Sequence, residues 1–144
     1  MAQKPPAIVD LTWDGDLRFR VQVAPPPGGQ LSSPAFLLDS TGQAGPSPVA
    51  LLAASLAGCM SIDLAHILSR GRHPVQDIRA HLEAERAAEA PHRVTRVTLH
   101  FVVVGDVPHE AVARAIELSQ QKYCSVWHSL RQDIDLQVTF DRTA

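Results

Sequence analysis

Apolar and polar residues alternate near both ends of the chain and recur at helical spacing through its middle. Ile8 to Trp13 reads as a strand, Asp14-Gly15-Asp16 as a tight turn, and Leu17 to Val23 as the returning strand. Leu17, Phe19, Val21 and Val23 share one face of it, which puts Arg18 and Arg20 together on the other. Pro25-Pro26-Pro27-Gly28-Gly29 can only be a loop, because proline cannot feed a ladder. Ala35 to Leu38 reads as a short third strand, and residues 39–46 as a second loop. Ser47-Pro48 then opens a helix, with serine as N-cap and proline at the first helical position, where its missing N–H is no loss. The helix runs to about Arg70, and Gly71 is placed to end it.

Val75 to Ala87 alternates through Ile78, Ala80, Leu82 and Ala84, the pattern of a half-buried strand. After the connection Ala90-Pro91-His92, Arg93 to Val104 repeats the alternation through Val97, Leu99, Phe101 and Val103. Val102 and Val104 make the far end of that strand apolar on both faces, which predicts a central position in its sheet. Pro108 begins a second helix that carries Val112, Ile116, Ser119 and Tyr123 at helical spacing. Cys124-Ser125 breaks it, Ser125 is placed to cap a short helix through Leu130, and Ile134 to Phe140 closes the chain as a strand. Strands, a long helix, two strands, a helix and a strand make an α+β domain, expected to be a single one over residues 1–144.

Composition sharpens this picture in three ways. With 45% apolar residues, the chain can build a core without staples. Thirteen Lys+Arg against fifteen Asp+Glu leave a net charge of −2, so no nucleic-acid partner is expected; such binding needs a concentrated basic face. Arg86, Arg93 and Arg96 lie close together but are interleaved with glutamates, and they read as solvated. The first sixteen residues lack the apolar core of an export signal, and the apolar run from Leu51 to Leu68 contains Asp63 and His66. That run is expected to be a buried helix, not a membrane span. A cytoplasmic location follows as the expectation, where cysteines stay reduced and serve transient chemistry more often than permanent cross-links.

Chemistry then concentrates on Cys59 and Cys124. Ser55, Cys59, Asp63 and His66 fall on one line of the first helix, beside a stripe of small residues (Ala53, Ala54, Ala57, Gly58 and Ser61) that admits close packing of a second backbone. A cysteine alone is often a small hydrophobe, but four such groups on one line each need a partner. Cys59 lies mid-helix, far from the helix N-terminus, and Asp63 one turn on opposes its ionisation. A reactive thiolate there needs a cation from elsewhere, and Arg18 and Arg20 are the available pair. Cys124 begins a short helix, a position that favours the thiolate, with His128 four residues on. No CxxC, HxH or HExxH spacing occurs, so a metal site has little support; a metal held by Cys59, Asp63 and His66 is a distant alternative.

The run from Gly45-Pro46-Ser47-Pro48 through Leu51-Leu52-Ala53-Ala54-Ser55-Leu56-Ala57-Gly58-Cys59-Met60-Ser61-Ile62-Asp63 resembles the cysteine helix of the OsmC and organic hydroperoxide resistance family. Lys122-Tyr123-Cys124-Ser125-Val126 resembles that family's second cysteine motif, and Trp13-Asp14-Gly15-Asp16 is similar to its N-terminal hairpin. The Gly-Cys-x-x-Ile-Asp variant looks closest to a divergent branch. The resemblance implies an intertwined homodimer whose antiparallel sheets wrap long central cysteine helices. It implies that Cys59 attacks the O–O bond of an organic hydroperoxide and becomes a sulfenic acid, and that Cys124 resolves it as a disulfide. A dithiol such as a lipoyl group then reduces the disulfide, with Arg18 or Arg20 as the thiolate stabiliser and no cofactor. In one place the sequence departs from the pattern. Peroxidase members carry a glutamate just after the helix-opening proline, where it steadies the activating arginine; here Pro48 is followed by Val49 and Ala50. That departure defines the alternative, a non-catalytic or ligand-binding dimer on the same fold.

Overall fold

The computed structural model describes residues 3–29 and 33–144. The chain forms two compact units, Met1–Leu51 and Leu52–Ala144, and the division falls inside the long helix.

The first unit is a three-stranded antiparallel sheet, β1 (Val9–Trp13), β2 (Arg18–Val23) and β3 (Phe36–Asp39), in that order. Its register pairs Val9 with Val23, Leu11 with Val21 and Trp13 with Phe19, then Phe19 with Leu38 and Val21 with Phe36. Because side chains alternate across a strand, this gathers these apolar groups on one face, while Leu37, paired with Arg20, falls on the other. Only Val21 on that face is buried; Leu11 is 50% exposed and Trp13 66%. The loop after β3 is organised by Asp39. Its carboxylate accepts hydrogen bonds from the Thr41 N–H, the Thr41 hydroxyl and the Ala44 N–H, each at 2.9 Å. These bonds, the Ala44 amide first, hold the Asp39 pKa below its ordinary value of 3.8.

The long helix α1 (Pro48–Arg70) starts as the sequence predicts, with the Ala50 N–H donating to Ser47 Oγ at 3.2 Å. Its end differs from expectation. The left-handed residue that turns the chain is Arg72 (φ 60°), one position beyond Gly71. The His73 N–H reaches the Leu68 carbonyl and the Arg72 N–H reaches that of Ser69, the paired bonds of a Schellman cap.

In the second unit β4 (Val75–Arg86), β5 (Val94–Gly105) and β6 (Asp135–Thr143) form a sheet with β5 in the centre, as its two-faced apolar end predicts. β4 and β5 are antiparallel, but β6 runs parallel to β5, pairing Leu136 with Val97 and Phe140 with Phe101. A parallel neighbour requires a crossover. It is supplied by α2 (His109–Leu118), a π-helical turn over Ser119–Tyr123 and the one-turn helix α3 (Ser125–His128). Gly105 closes β5 at φ +132°, where a Cβ would collide with the Pro74 carbonyl.

Leu56, Met60, Leu64 and Leu68 of α1 join Val97, Leu99, Phe101 and Val103 of β5 and Val112, Ala115 and Ile116 of α2 in one core. The expectation that α1 is buried is met along that stripe alone. Ile62 on the same helix is 70% exposed, and Leu52 is exposed too. A single sheet covers only one side of a helix that is apolar around most of its girth. Among the described residues α1 is the one helix long and apolar enough to cross a membrane by length and composition, and that core stripe makes it the central helix of a packed unit.

Candidate functional site

Cys59 sits at the start of the fourth turn of α1, half-buried, with Asp63 one turn further along the same face. Cys124 approaches from the other side of the sequence. The π-helical turn ends with the Cys124 N–H bonded to the Ser119 carbonyl at 2.8 Å, which swings Cys124 into extended backbone (φ −70°, ψ 101°). Its side chain is thereby turned into the core and fully buried. The two sulfurs and an Asp63 carboxylate oxygen all lie within 4.8 Å of one another. Both thiols are free.

Two hydrogen bonds hold this arrangement. Ser119, itself buried, donates its hydroxyl to Asp63 Oδ2 at 2.8 Å. The Trp127 N–H donates to Cys124 Sγ at 3.4 Å. Cys124 is therefore the N-cap of α3, a role the sequence assigns to Ser125; the helix is also shorter than expected, ending at His128 instead of Leu130. The position does not favour the thiolate as a helix start would. Burial pushes the Cys124 thiol up to about 11, and the nearby Cys59 and Asp63 add to the rise, against a smaller opposing contribution from the Trp127 amide. Desolvation outweighs a single N–H from a one-turn helix. His128 is exposed.

The polar line expected on α1 resolves into two parts. Asp63 joins the thiols, whereas Ser55 and His66 are exposed, and the Ser55 hydroxyl bonds back to the Leu52 carbonyl. His66 thus drops out of the candidate ligand group and Cys124 takes its place. Ser119 is the residue sequence reasoning passed over. It appears there as one of four positions on the second helix, and the signal was a serine in line with Val112 and Ile116 on a buried face.

Arg18 and Arg20 lie side by side on β2 in the first unit. Arg18 Nη2 pairs with Asp16 and Arg20 Nη2 with Asp14, both at 3.3 Å and both at the surface. The Arg18 Nε is buried with no hydrogen-bond partner among the described residues. The first turn of α1 contains no acid.

These features define an α+β protein built around a close pair of thiols beside a carboxylate. Residues 40–139 match the model of the family described as OsmC-like protein, and the chain belongs to that family. Protein YhfA of Escherichia coli is 38% identical over 119 residues, covering 81% of this chain and 89% of that protein. A hypothetical protein from Aquifex aeolicus superposes with a TM-score of 0.83 at 25% identity, covering 96% of each chain. The organic hydroperoxide resistance protein OsmC from Legionella pneumophila has the same fold, with a TM-score of 0.69 at 17% identity over 97% of this chain and 99% of that one.

Proposed function

We propose that the protein is a thiol-dependent peroxidase that reduces organic hydroperoxides, with Cys59 as nucleophile and Cys124 as resolving thiol. The observation that carries this reading is the approach of the two sulfurs to within 4.8 Å, from elements 65 positions apart in the chain. The difference in burial supports the division of roles: the half-buried Cys59 meets substrate, and Cys124, protonated at neutral pH, waits behind it. In the first step the Cys59 thiolate attacks the distal peroxide oxygen. An S–O bond forms, the O–O bond breaks, and the alkoxide leaves as alcohol after taking a proton. Cys124 then attacks the sulfenic sulfur, giving the disulfide and water. A dithiol of the lipoyl type returns both thiols by exchange.

Arg18 or Arg20 supplies the positive charge that favours the Cys59 thiolate in this reading. Their present partners are surface carboxylates, whose hold is weak, and the unpartnered Nε favours Arg18. The protein acts as a homodimer in the cytoplasm, needing no cofactor. The open apolar face of β1–β3 and the uncovered side of α1 at Leu52 and Ile62 are the surfaces a second copy covers. The absent acid in the first turn of α1 favours a second reading, a dimer that binds ligands without turnover.

Consumption of an alkyl hydroperoxide tests the first reading. Cys59→Ser is expected to abolish it, and Cys124→Ser to leave a sulfenic acid at Cys59 that dimedone labels. If Cys124 labels and Cys59 does not, the roles are reversed. Inertness of both thiols establishes the ligand-binding reading.

A further inference from the structure

We propose that the reduced protein binds one zinc ion per chain through Cys59 Sγ, Cys124 Sγ and the Asp63 carboxylate. Around tetrahedral zinc, with bonds of about 2.0–2.3 Å, ligand atoms sit about 3.5–3.8 Å apart. The three donors already lie within 4.8 Å of one another, so rotamer adjustments of about an ångström bring them into range. They also come from two separate elements, and Cys59 and Asp63 stand at i and i+4 on one helix face.

A second observation is independent of that spacing. Metal ligands need outer contacts that fix their orientation, and two such contacts are in place. The Ser119 hydroxyl holds Asp63 by Oδ2 and leaves lone pairs of the carboxylate free. The Trp127 N–H points at Cys124 Sγ, the geometry of an amide bonded to a metal thiolate. The burial is graded as an entry path requires, with Cys124 closed off behind and Cys59 and Asp63 partly open in front. The fourth position is left to water or another donor on the less buried side of Cys59 and Asp63. Two thiolates with one carboxylate select zinc by softness and geometry, and the carboxylate sets this site apart from a digonal copper(I) site on sulfur alone. Binding forms two Zn–S bonds and releases the two thiol protons to solvent, with no change of oxidation state. The site exists only in the dithiol form, so zinc and the disulfide exclude each other.

Zinc binding is measured without peroxide and so independently of any peroxidase activity. Reduced full-length protein at micromolar concentration is titrated with zinc against a chromophoric chelator, and with cobalt(II) as a spectroscopic stand-in. One equivalent per chain is expected, with intense tetrahedral cobalt bands and sulfur-to-cobalt charge transfer. Asp63→Asn is expected to weaken zinc binding by at least the roughly 10- to 100-fold typical of a lost outer-shell partner, and Cys59→Ser to remove the charge-transfer band in part. Zinc is further expected to protect the half-buried Cys59 thiol from maleimide, a measurement that depends on no variant. Absence of stoichiometric binding, affinity unchanged in Asp63→Asn, or Cys59 alkylated equally fast with and without zinc would each overturn the site.

Discussion

The two three-stranded sheets of this protein are built from similar alternating strands and differ in what their apolar faces meet. In the second unit Val97, Leu99, Phe101 and Val103 on β5 face α1 and α2, and all four are buried. In the first, Val9, Leu11, Trp13 and Phe19 stand 43% to 66% exposed, although their register aligns them as well as any core. One sheet owns its helices, while the other has no layer of its own within Met1–Leu51. A two-layer fold needs a cover for each apolar face. The difference teaches that the second unit carries a core of its own, whereas the first leaves most of its apolar face exposed.

The largest effect that separates the two sheets comes from equivalent truncations. Phe101→Ala removes a fully buried ring from the centre of the second core and should cost about 3–5 kcal/mol in denaturant unfolding. Leu11→Ala on the open sheet should cost under about 1 kcal/mol in any monomer. If the proposed dimer covers that face, however, Leu11→Asp should shift the population to monomer in analytical ultracentrifugation. A Leu11→Asp protein with unchanged mass would break the comparison, since the face would then need no partner.

The next effect concerns the missing acid at the start of α1. A guanidinium depresses a thiol's pKa only when it is held toward the sulfur, and a carboxylate pairing with it supplies that hold. Val49 and Ala50 supply none, and Arg18 and Arg20 lean on Asp16 and Asp14. In the peroxidase reading the Cys59 rate with an alkyl hydroperoxide should therefore fall roughly 10- to 100-fold short of members that keep the acid, about 1.4–2.8 kcal/mol of barrier. Val49→Glu or Ala50→Glu should recover part of it, read as the second-order rate of Cys59 oxidation against pH. A rate already fast, and unimproved by either glutamate, would mean that another group activates this thiol.

The two regions were unequally legible in the sequence. Local patterns located each described strand and α-helix, because alternation and the Ser47-Pro48 start are local signals, although β6 runs on to Thr143 and a π-helical turn replaces the end of the second helix. Contacts between distant segments were not local, so they stayed hidden. Nothing in the spacing of Cys59 and Cys124 states that a π-helical turn carries one thiol to the other, or that Ser119 reaches back 56 positions to Asp63. The parallel pairing of β6 with β5 was equally silent, since a strand's pattern does not encode its neighbour's direction. Cys124 as a cap was missed because serine is the usual capping residue and stands next to it.

The smallest effect expected is the acid sensitivity of the loop after β3. Asp39 anchors residues 40–46 through three hydrogen bonds to its carboxylate, and those bonds favour the charged form, so its folded pKa lies below 3.8. A depressed carboxylate contributes stability that is fully present above the unfolded value. It is lost as pH falls through the folded value, because the protonated group binds these donors less well. The loop should therefore hold at neutral pH and loosen below about pH 4, while the apolar side chains packed around Phe101 have no charge of their own to lose. Amide exchange measured between pH 2 and 6, corrected for intrinsic rates, should show protection of the Thr41 and Ala44 amides falling in that window. Asp39→Asn presents one carbonyl oxygen where the carboxylate has two, and its amide meets the Ala44 N–H donor to donor. Its loop should be less protected at pH 6 and nearly insensitive to acid. Thr41 and Ala44 amides that stay protected down to pH 2 would show that the backbone of the loop is held by something other than this charge. The contrast between an acid-labile loop and an apolar cluster would then be lost.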